Sequence, residues 1–330
     1  MEKILLIRLS SLGDIVLTTP AIRAIRSHHP NAYIAMLVAK QSADILLHNP
    51  NLNEIIHFDR LSKHKDTAEM YRILRILRQR NFSLSIDFQR KFRTELLMYL
   101  SGATDRVGKG ILSTVRVPES GNKHATEHYF DLLHAVGIPA EDRHLEIYLH
   151  ESERTKACQL FKHEGINDGD LTIGLFPGAG WKLREWMPER FAKIADRLVT
   201  NFKAQVVLFG GPNDVTLVNH IANTMDELAI NFAGKLNLRE LSSCIEKCDL
   251  FISNDTGPMH IATAVGTQTV ALFGPGNHIR FQPIGDNHTL IRYDVPCSPC
   301  KQFTDKCKDN ICMKGITVDD VWDSICRILN

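Results

Sequence analysis

Short apolar, β-branched runs recur along this 330-residue chain with amphipathic stretches between them, and this alternation most narrows the folds open to it. Strand-like runs lie at 3–8 (KILLIR), 32–38 (AYIAMLV), 54–58 (EIIHF) and 83–87 (SLSID), then at 171–176 (LTIGLF), 204–209 (AQVVLF), 249–253 (DLFIS) and 268–273 (QTVALF). Apolar spacing predicts helices over 14–28, 67–80, 125–136, 153–164, 188–200, 214–225, 238–246, 258–265 and 318–329. Strands alternating with helices build parallel α/β sheets, and continuous apolar runs such as 206–209 suit strands covered on both faces. The pattern restarts after the polar stretch 164–170 (EGINDGD). Two doubly wound, Rossmann-like domains are expected, 1–165 and 166–330, with the last helix packing back on the first. Ligands in such sheets sit beyond the C-terminal strand ends. The domains are therefore expected to face each other across a cleft, and the loops after the strands become the places to search.

Charge excludes some partners. Lys and Arg total 39 against 38 Asp and Glu, a net +1, so no global field points to nucleic acid. The local exception is 60–95, with ten Lys/Arg (Arg60, Lys63, Lys65, Arg72, Arg75, Arg78, Arg80, Arg90, Lys91, Arg93) against four acids. Such a run is either a solvated helix face or a surface for an anionic acceptor or a membrane. The opening MEKILLIRLS is broken by Arg8 and has no signal-peptide character. The longest stretch without charged residues, Thr256 to Ile279, is punctuated by Gly266, Gly274, Pro275 and Gly276, unlike a membrane span. Eight cysteines without a secretion signal fit a reduced, cytoplasmic chain.

Four loops carry chemistry-bearing residues. Ser10-Ser11-Leu12-Gly13-Asp14 leads from the first strand into a helix; Gly13 permits a tight turn, and a carboxylate near a helix N-terminus stays ionised and able to accept a proton. A simple helix cap explains the same residues. Pro177 to Trp186 (PGAGWKLREW) joins small residues, which let backbone approach a ligand, to Lys182 and Arg184, which suit phosphate. Phe209-Gly210-Gly211-Pro212-Asn213-Asp214 puts an acid past a strand end, where ribose hydroxyls are commonly held, although Asn-Asp is equally a helix cap. Ser253 to His260 (SNDTGPMH) starts a helix with Pro258 in its first turn; the amides of Thr256, Gly257 and Met259 could form an anion site, with Asp255 and His260 beside it.

Other signatures are missing or weak. No G-x-G-x-x-G and no G-x-x-x-x-G-K-[ST] occurs, which disfavours a nicotinamide dehydrogenase and P-loop chemistry. Asp168-Gly169-Asp170 precedes a strand and reads as a turn rather than a metal-binding D-x-D. Cys297, Cys300, Cys307 and Cys312 group four thiols beside Lys301, Lys306 and Lys308, a density that suits either structural zinc or free thiols. Cys158, Cys244, Cys248 and Cys326 read as core or helix residues.

Together the loops resemble the lipopolysaccharide heptosyltransferases (glycosyltransferase family 9, GT-B fold). The matching stretches are 4–26 (ILLIRLSSLGDIVLTTPAIRAIR), 176–198 (FPGAGWKLREWMPERFAKIADRL), 206–214 (VVLFGGPND) and 251–275 (FISNDTGPMHIATAVGTQTVALFGP). The resemblance implies a bacterial, inverting, metal-independent enzyme that needs no cofactor. It would move heptose from ADP-heptose to the lipopolysaccharide inner core, in the cytoplasm or at the inner membrane surface. It implies Asp14 as general base beside the acceptor-side loop Ser10, Ser11 and Gly13, Asp214 on the ribose, and Asp255, Thr256, Gly257 and His260 at the donor phosphates. The family's phosphate-binding lysine falls on Arg184, and its Trp-Pro becomes Trp186-Met187-Pro188, which leaves the phosphate to Lys182 or Arg184. The first domain would take the acceptor, through loops such as 60–66 and 88–93, and the second the donor. The competing readings are a same-fold nucleotide-sugar epimerase or hydrolase, which would consume donor without acceptor, and a non-catalytic nucleotide-sugar or lipopolysaccharide binding protein.

Overall fold

The computed structural model describes residues 1–59, 66–300 and 307–330. Arg60, Lys63 and Lys65 of the basic run, most of the acceptor segment 60–66, and Lys301 and Lys306 beside the thiols lie outside the described residues. The chain divides into two compact units, Met1–Tyr148 and Leu149–Asn330. This division falls earlier than the polar stretch at 164–170, because the helix Glu151–His163 packs against the helix Leu238–Glu246 of the second unit.

The first unit holds six parallel strands: β1 (Lys3–Arg8), β2 (Tyr33–Ala39), β3 (Glu54–Phe58), β4 (Leu84–Asp87), β5 (Asp105–Gly108) and β6 (Val115–Arg116). Their order is β3-β2-β1-β4-β5-β6. The second unit repeats the plan with β7 (Thr172–Phe176), β8 (Gln205–Leu208), β9 (Ile230–Asn231), β10 (Leu250–Asn254), β11 (Gln268–Phe273) and β12 (Thr289–Arg292), ordered β12-β11-β10-β7-β8-β9. Counted from its own first strand, each sheet reads 3-2-1-4-5-6, the doubly wound order. In that order the chain winds one way after strand 1 and the other way after strand 4, so a crevice opens at the C-terminal ends of β1 and β4 and, separately, of β7 and β10.

Burial explains why these runs became strands. Ile4, Leu5, Leu6 and Ile7 of β1 are all fully buried, as a strand covered on both faces requires. Leu5 and Ile7 join Leu37, Ile56 and Phe58 in one cluster closed by Ile73, Leu77 and Leu97 from flanking helices. In the second unit the helix Pro188–Phe202 buries Phe191, Ile194, Ala195 and Leu198, one stripe at helical spacing. The last helix, Val318–Leu329, places Val321 and Ile325 in this second core, packed on the helix Pro188–Phe202. Truncating Phe191 to Ala would cost about 3–5 kcal/mol.

The long helix expected over 14–28 is two helices, Leu12–Val16 and Thr19–His28. Pro20 has no N–H to give the Val16 carbonyl, and the Thr19 hydroxyl donates to that carbonyl instead, at 2.8 Å. The short strands β5, β6, β9 and β12 and the helix Phe92–Leu100 were not expected from the pattern. Among the described residues no helix is long and apolar enough to cross a membrane.

Candidate active site

In the first unit the crevice is lined by the loops after β1 and β4. Ser11 caps the helix Leu12–Val16, and its backbone N–H and hydroxyl both donate to Asp14 Oδ2 at 2.9 Å. The other oxygen, Oδ1, lies 2.6 Å from Arg8 Nη2, at the last position of β1. Burial would raise the Asp14 carboxyl, but the Arg8 charge and the Ser11 hydrogen bonds outweigh it and hold the group below the usual carboxylate range. Asp14 is thus a fixed carboxylate, ionised at neutral pH.

Residues that the motifs did not single out hold this loop. Arg8 Nη1 donates to the Phe88 carbonyl at 2.6 Å, just past β4. Gln89 Oε1 accepts from the backbone N–H groups of Leu9 and Ser10, each at 3.1 Å, and its Nε2 donates to Ser10 Oγ at 3.1 Å. Gln89 N in turn donates to Asp87 Oδ1 at 3.0 Å, and Thr94 Oγ1 to Asp87 Oδ2 at 2.8 Å. Asp87 is buried, and desolvation outweighs these hydrogen bonds, pushing its carboxyl up to about 7. Beside them a cavity of about 70 Å³ is lined by Ser10, Phe58, Gln89, Lys91, Arg93 and Thr94. Of the basic run, Arg72 pairs with Glu69 at 2.7 Å and Arg80 with Glu54 at 2.8 Å, so these cations are already matched.

In the second unit the crevice gathers three of the four loops. Asn254, the last residue of β10, donates through Nδ2 to the Pro177 carbonyl at 2.6 Å and accepts through Oδ1 from Trp186 N at 3.2 Å, stapling both ends of the 177–186 loop. Trp186 is buried, edge-on to Phe191, with its indole N–H given to the Ile316 carbonyl at 2.9 Å. Burial, not ligand contact, therefore explains that tryptophan. Arg184 lies over the Trp181 ring, 5.8 Å from its centroid, and reaches Asp255 Oδ2 at 3.2 Å. A Cβ on Gly276 would stand 1.9 Å from the same Oδ2, so only glycine leaves room for Asp255 there.

Asp214 accepts from Gly211 N at 2.8 Å, and its carboxylate packs so closely on Gly178 that a Cβ there would come within 2.4 Å. The half-buried Glu185 is raised by its burial and by Asp214, and lowered by Lys182. Lys182 is exposed, whereas Arg184 is partly buried and meets Asp255. Thr256 caps the helix Gly257–Ala264, and His260 is buried in its first turn.

Cys297, Cys300, Cys307 and Cys312 are candidates either for structural zinc or for free thiols. Among the described residues no three His, Cys, Asp or Glu side chains are grouped to hold a metal ion. Cys312 is buried against Gly274, whereas Cys297 and Cys307 are exposed. Burial pushes the Cys312 thiol up, with Cys297 and Cys307 adding to it.

The sequence profile of glycosyltransferase family 9 (heptosyltransferase) matches residues 70–310. The chain belongs to this family. It is a glycosyltransferase by that membership. It is 28% identical over 331 residues to lipooligosaccharide heptosyltransferase 2 of Campylobacter jejuni, covering 96% of each chain. The solved structure of a family 9 glycosyltransferase from Veillonella parvula superposes with a TM-score of 0.88 at 25% identity, over 99% of this chain and 97% of that one. That of the E. coli ADP-heptose lipopolysaccharide heptosyltransferase II gives 0.82 at 22% identity, over 99% and 98%. The fold is therefore of the GT-B class.

Proposed function

We propose that this family 9 chain transfers heptose from ADP-heptose to the inner core of lipopolysaccharide, by direct displacement with inversion and without a metal. The observation that carries this reading is Asp14, a fixed, ionised carboxylate at the crevice of the first unit. In the reaction Asp14 takes the proton of the attacking acceptor hydroxyl. The hydroxyl oxygen forms the new bond to the sugar carbon as the bond to ADP breaks, and the electron pair leaves on the diphosphate. Arg184, Lys182 and the amides of the 256–259 turn stabilise that charge, with Gly257 leaving the backbone open to approach and His260 beneath the turn. A carboxylate cannot itself favour a phosphate. Asp255 is thus assigned to orienting Arg184, which it touches, and not to the diphosphate. Asp214 takes the ribose hydroxyls, as its place after the second strand of its sheet supports.

Ser10, Ser11 and Gly13 border the acceptor, and exposed Tyr71, Arg75 and Arg78 on the helix Asp66–Arg80 give the first unit a face for an anionic membrane surface. The test is incubation of purified protein, treated with a metal chelator, with ADP-heptose and core lipopolysaccharide lacking that heptose. Mass spectrometry should show one added heptose and NMR an inverted anomeric carbon. Donor consumed equally without acceptor would instead favour a hydrolase or epimerase.

A further inference from the structure

Asp14 has two carboxylate oxygens, and the structure treats them differently. Oδ2 receives two donors, the Ser11 backbone N–H and the Ser11 hydroxyl, which fill its two lone-pair positions. Among the described residues Oδ1 receives only Arg8 Nη2, at 2.6 Å, so one of its lone pairs is left. Arg8 is itself immobilised. It is 9% exposed, its second terminal nitrogen is given to the Phe88 carbonyl, and its guanidinium stands over the Tyr129 ring, 5.6 Å from the centroid. Tyr129 is buried and edge-on to Phe88 at 5.3 Å, so ring, carbonyl and guanidinium form one packed unit. A forked, planar cation is required to reach a carbonyl and a carboxylate at once, and a lysine ammonium on a single stem is a poorer match.

We infer that Arg8 is a positioning residue for transfer, clamping Asp14 to the end of β4 so that Oδ1 is the atom that takes the acceptor proton. This rests on the assignment of Asp14 as the base. The titratable and charged groups facing the pair are Asp87 at the end of β4 and Tyr129 on the helix Ala125–His134. Burial opposes the charge on Arg8, while Tyr129, Asp14 and Asp87 favour it, so Arg8 stays cationic throughout the working range. Removing the cation leaves Asp14 with its burial and the Ser11 bonds alone, so its protonation must move to higher pH.

Two readouts test this, one independent of turnover. The Asp14 carboxyl is followed by carbon NMR against pH in protein labelled at aspartate, with Asp14→Asn to assign the signal. In Arg8→Met its midpoint should rise by at least about one pH unit over wild type, a tenfold change in proton affinity. This result stands or falls even if the protein proves not to transfer heptose. In turnover, Arg8→Met should lower kcat at pH 7 by about 10–100-fold, the range for losing a partner that orients a reacting group. The acid limb should shift upward in parallel, with KM for the donor within about twofold. Arg8→Lys keeps the charge and loses the fork, so its acid limb should stay near wild type while kcat falls by about tenfold. If Arg8→Met does not fold, Arg8→Lys decides: reduced kcat at unchanged donor KM supports the clamp, and wild-type kcat overturns it. An unmoved Asp14 midpoint in folded Arg8→Met also overturns it.

Discussion

The two units share one strand order and bury opposite members of an arginine–aspartate pair at their crevices. At the crevice of the first, an aspartate is pinned as an anion by a buried arginine. At the crevice of the second, an arginine is held by a buried aspartate and stays partly open at 23% side-chain exposure. In one the carboxylate is the presented group and the guanidinium its support; in the other the roles exchange. Under the proposed function the same pair of residue types would make a proton acceptor in one sheet and a cation for a departing diphosphate in the other. Burial selects which, because the more buried partner is the one less free to meet substrate.

That contrast can be broken at several points. The largest effect is expected at Asp14: Asp14→Asn should lower kcat by about 10²–10⁴-fold, the range for a lost general base. Arg184→Ala should come next, with transfer falling by about 10²-fold or more and ADP binding weakened in calorimetry. Lys182→Ala, from an exposed position, should cost less than Arg184→Ala, and the reverse order would assign the diphosphate to the lysine. Gly276→Ala sharpens the same point from behind. Its methyl would stand 1.9 Å from Asp255 Oδ2 and displace it, so Arg184 loses its partner and donor KM should rise.

The smallest effect is on stability and concerns Asp87. Its folded-state value is raised to about 7, so the folded protein retains a proton that the unfolded chain loses near the ordinary carboxylate value. The stabilisation is full below that value and is lost as pH rises through about 7. Thermal unfolding of Asp87→Asn from pH 5 to 8 should lack this decline and exceed wild type at the alkaline end. Asp14 runs the other way: its lowered value contributes stability above the usual carboxylate range that is lost as the pH falls.

What the sequence discloses follows from how local each signal is. β1 and β7 were legible because a strand buried on both faces must be an unbroken apolar run. β6 and β9 are two residues each, too short to show any period. The helix Phe92–Leu100 follows the basic residues Arg90 and Lys91, and its short apolar stretch has no clear amphipathic stripe to announce it. Asp14, Asp214 and Asp255 stood out because each follows a strand within a loop of small residues. Arg8, Gln89 and Asn254 did not, because their partners are remote. Gln89 meets a loop 79 positions away, and Asn254 a carbonyl 77 positions away. The position of Arg8 and Asp87 at C-terminal strand ends was the available clue. Cys312 is buried while Cys297 and Cys307 are exposed, a difference that their closeness in sequence does not announce.

The most direct test of the division of labour is to measure transfer rate and ADP affinity on the same Asp14→Asn protein. A rate reduced by at least about 100-fold with ADP affinity within about twofold of wild type is the predicted result. Transfer within a few-fold of wild type would contradict the account, as would a loss of ADP binding that matches the loss of rate.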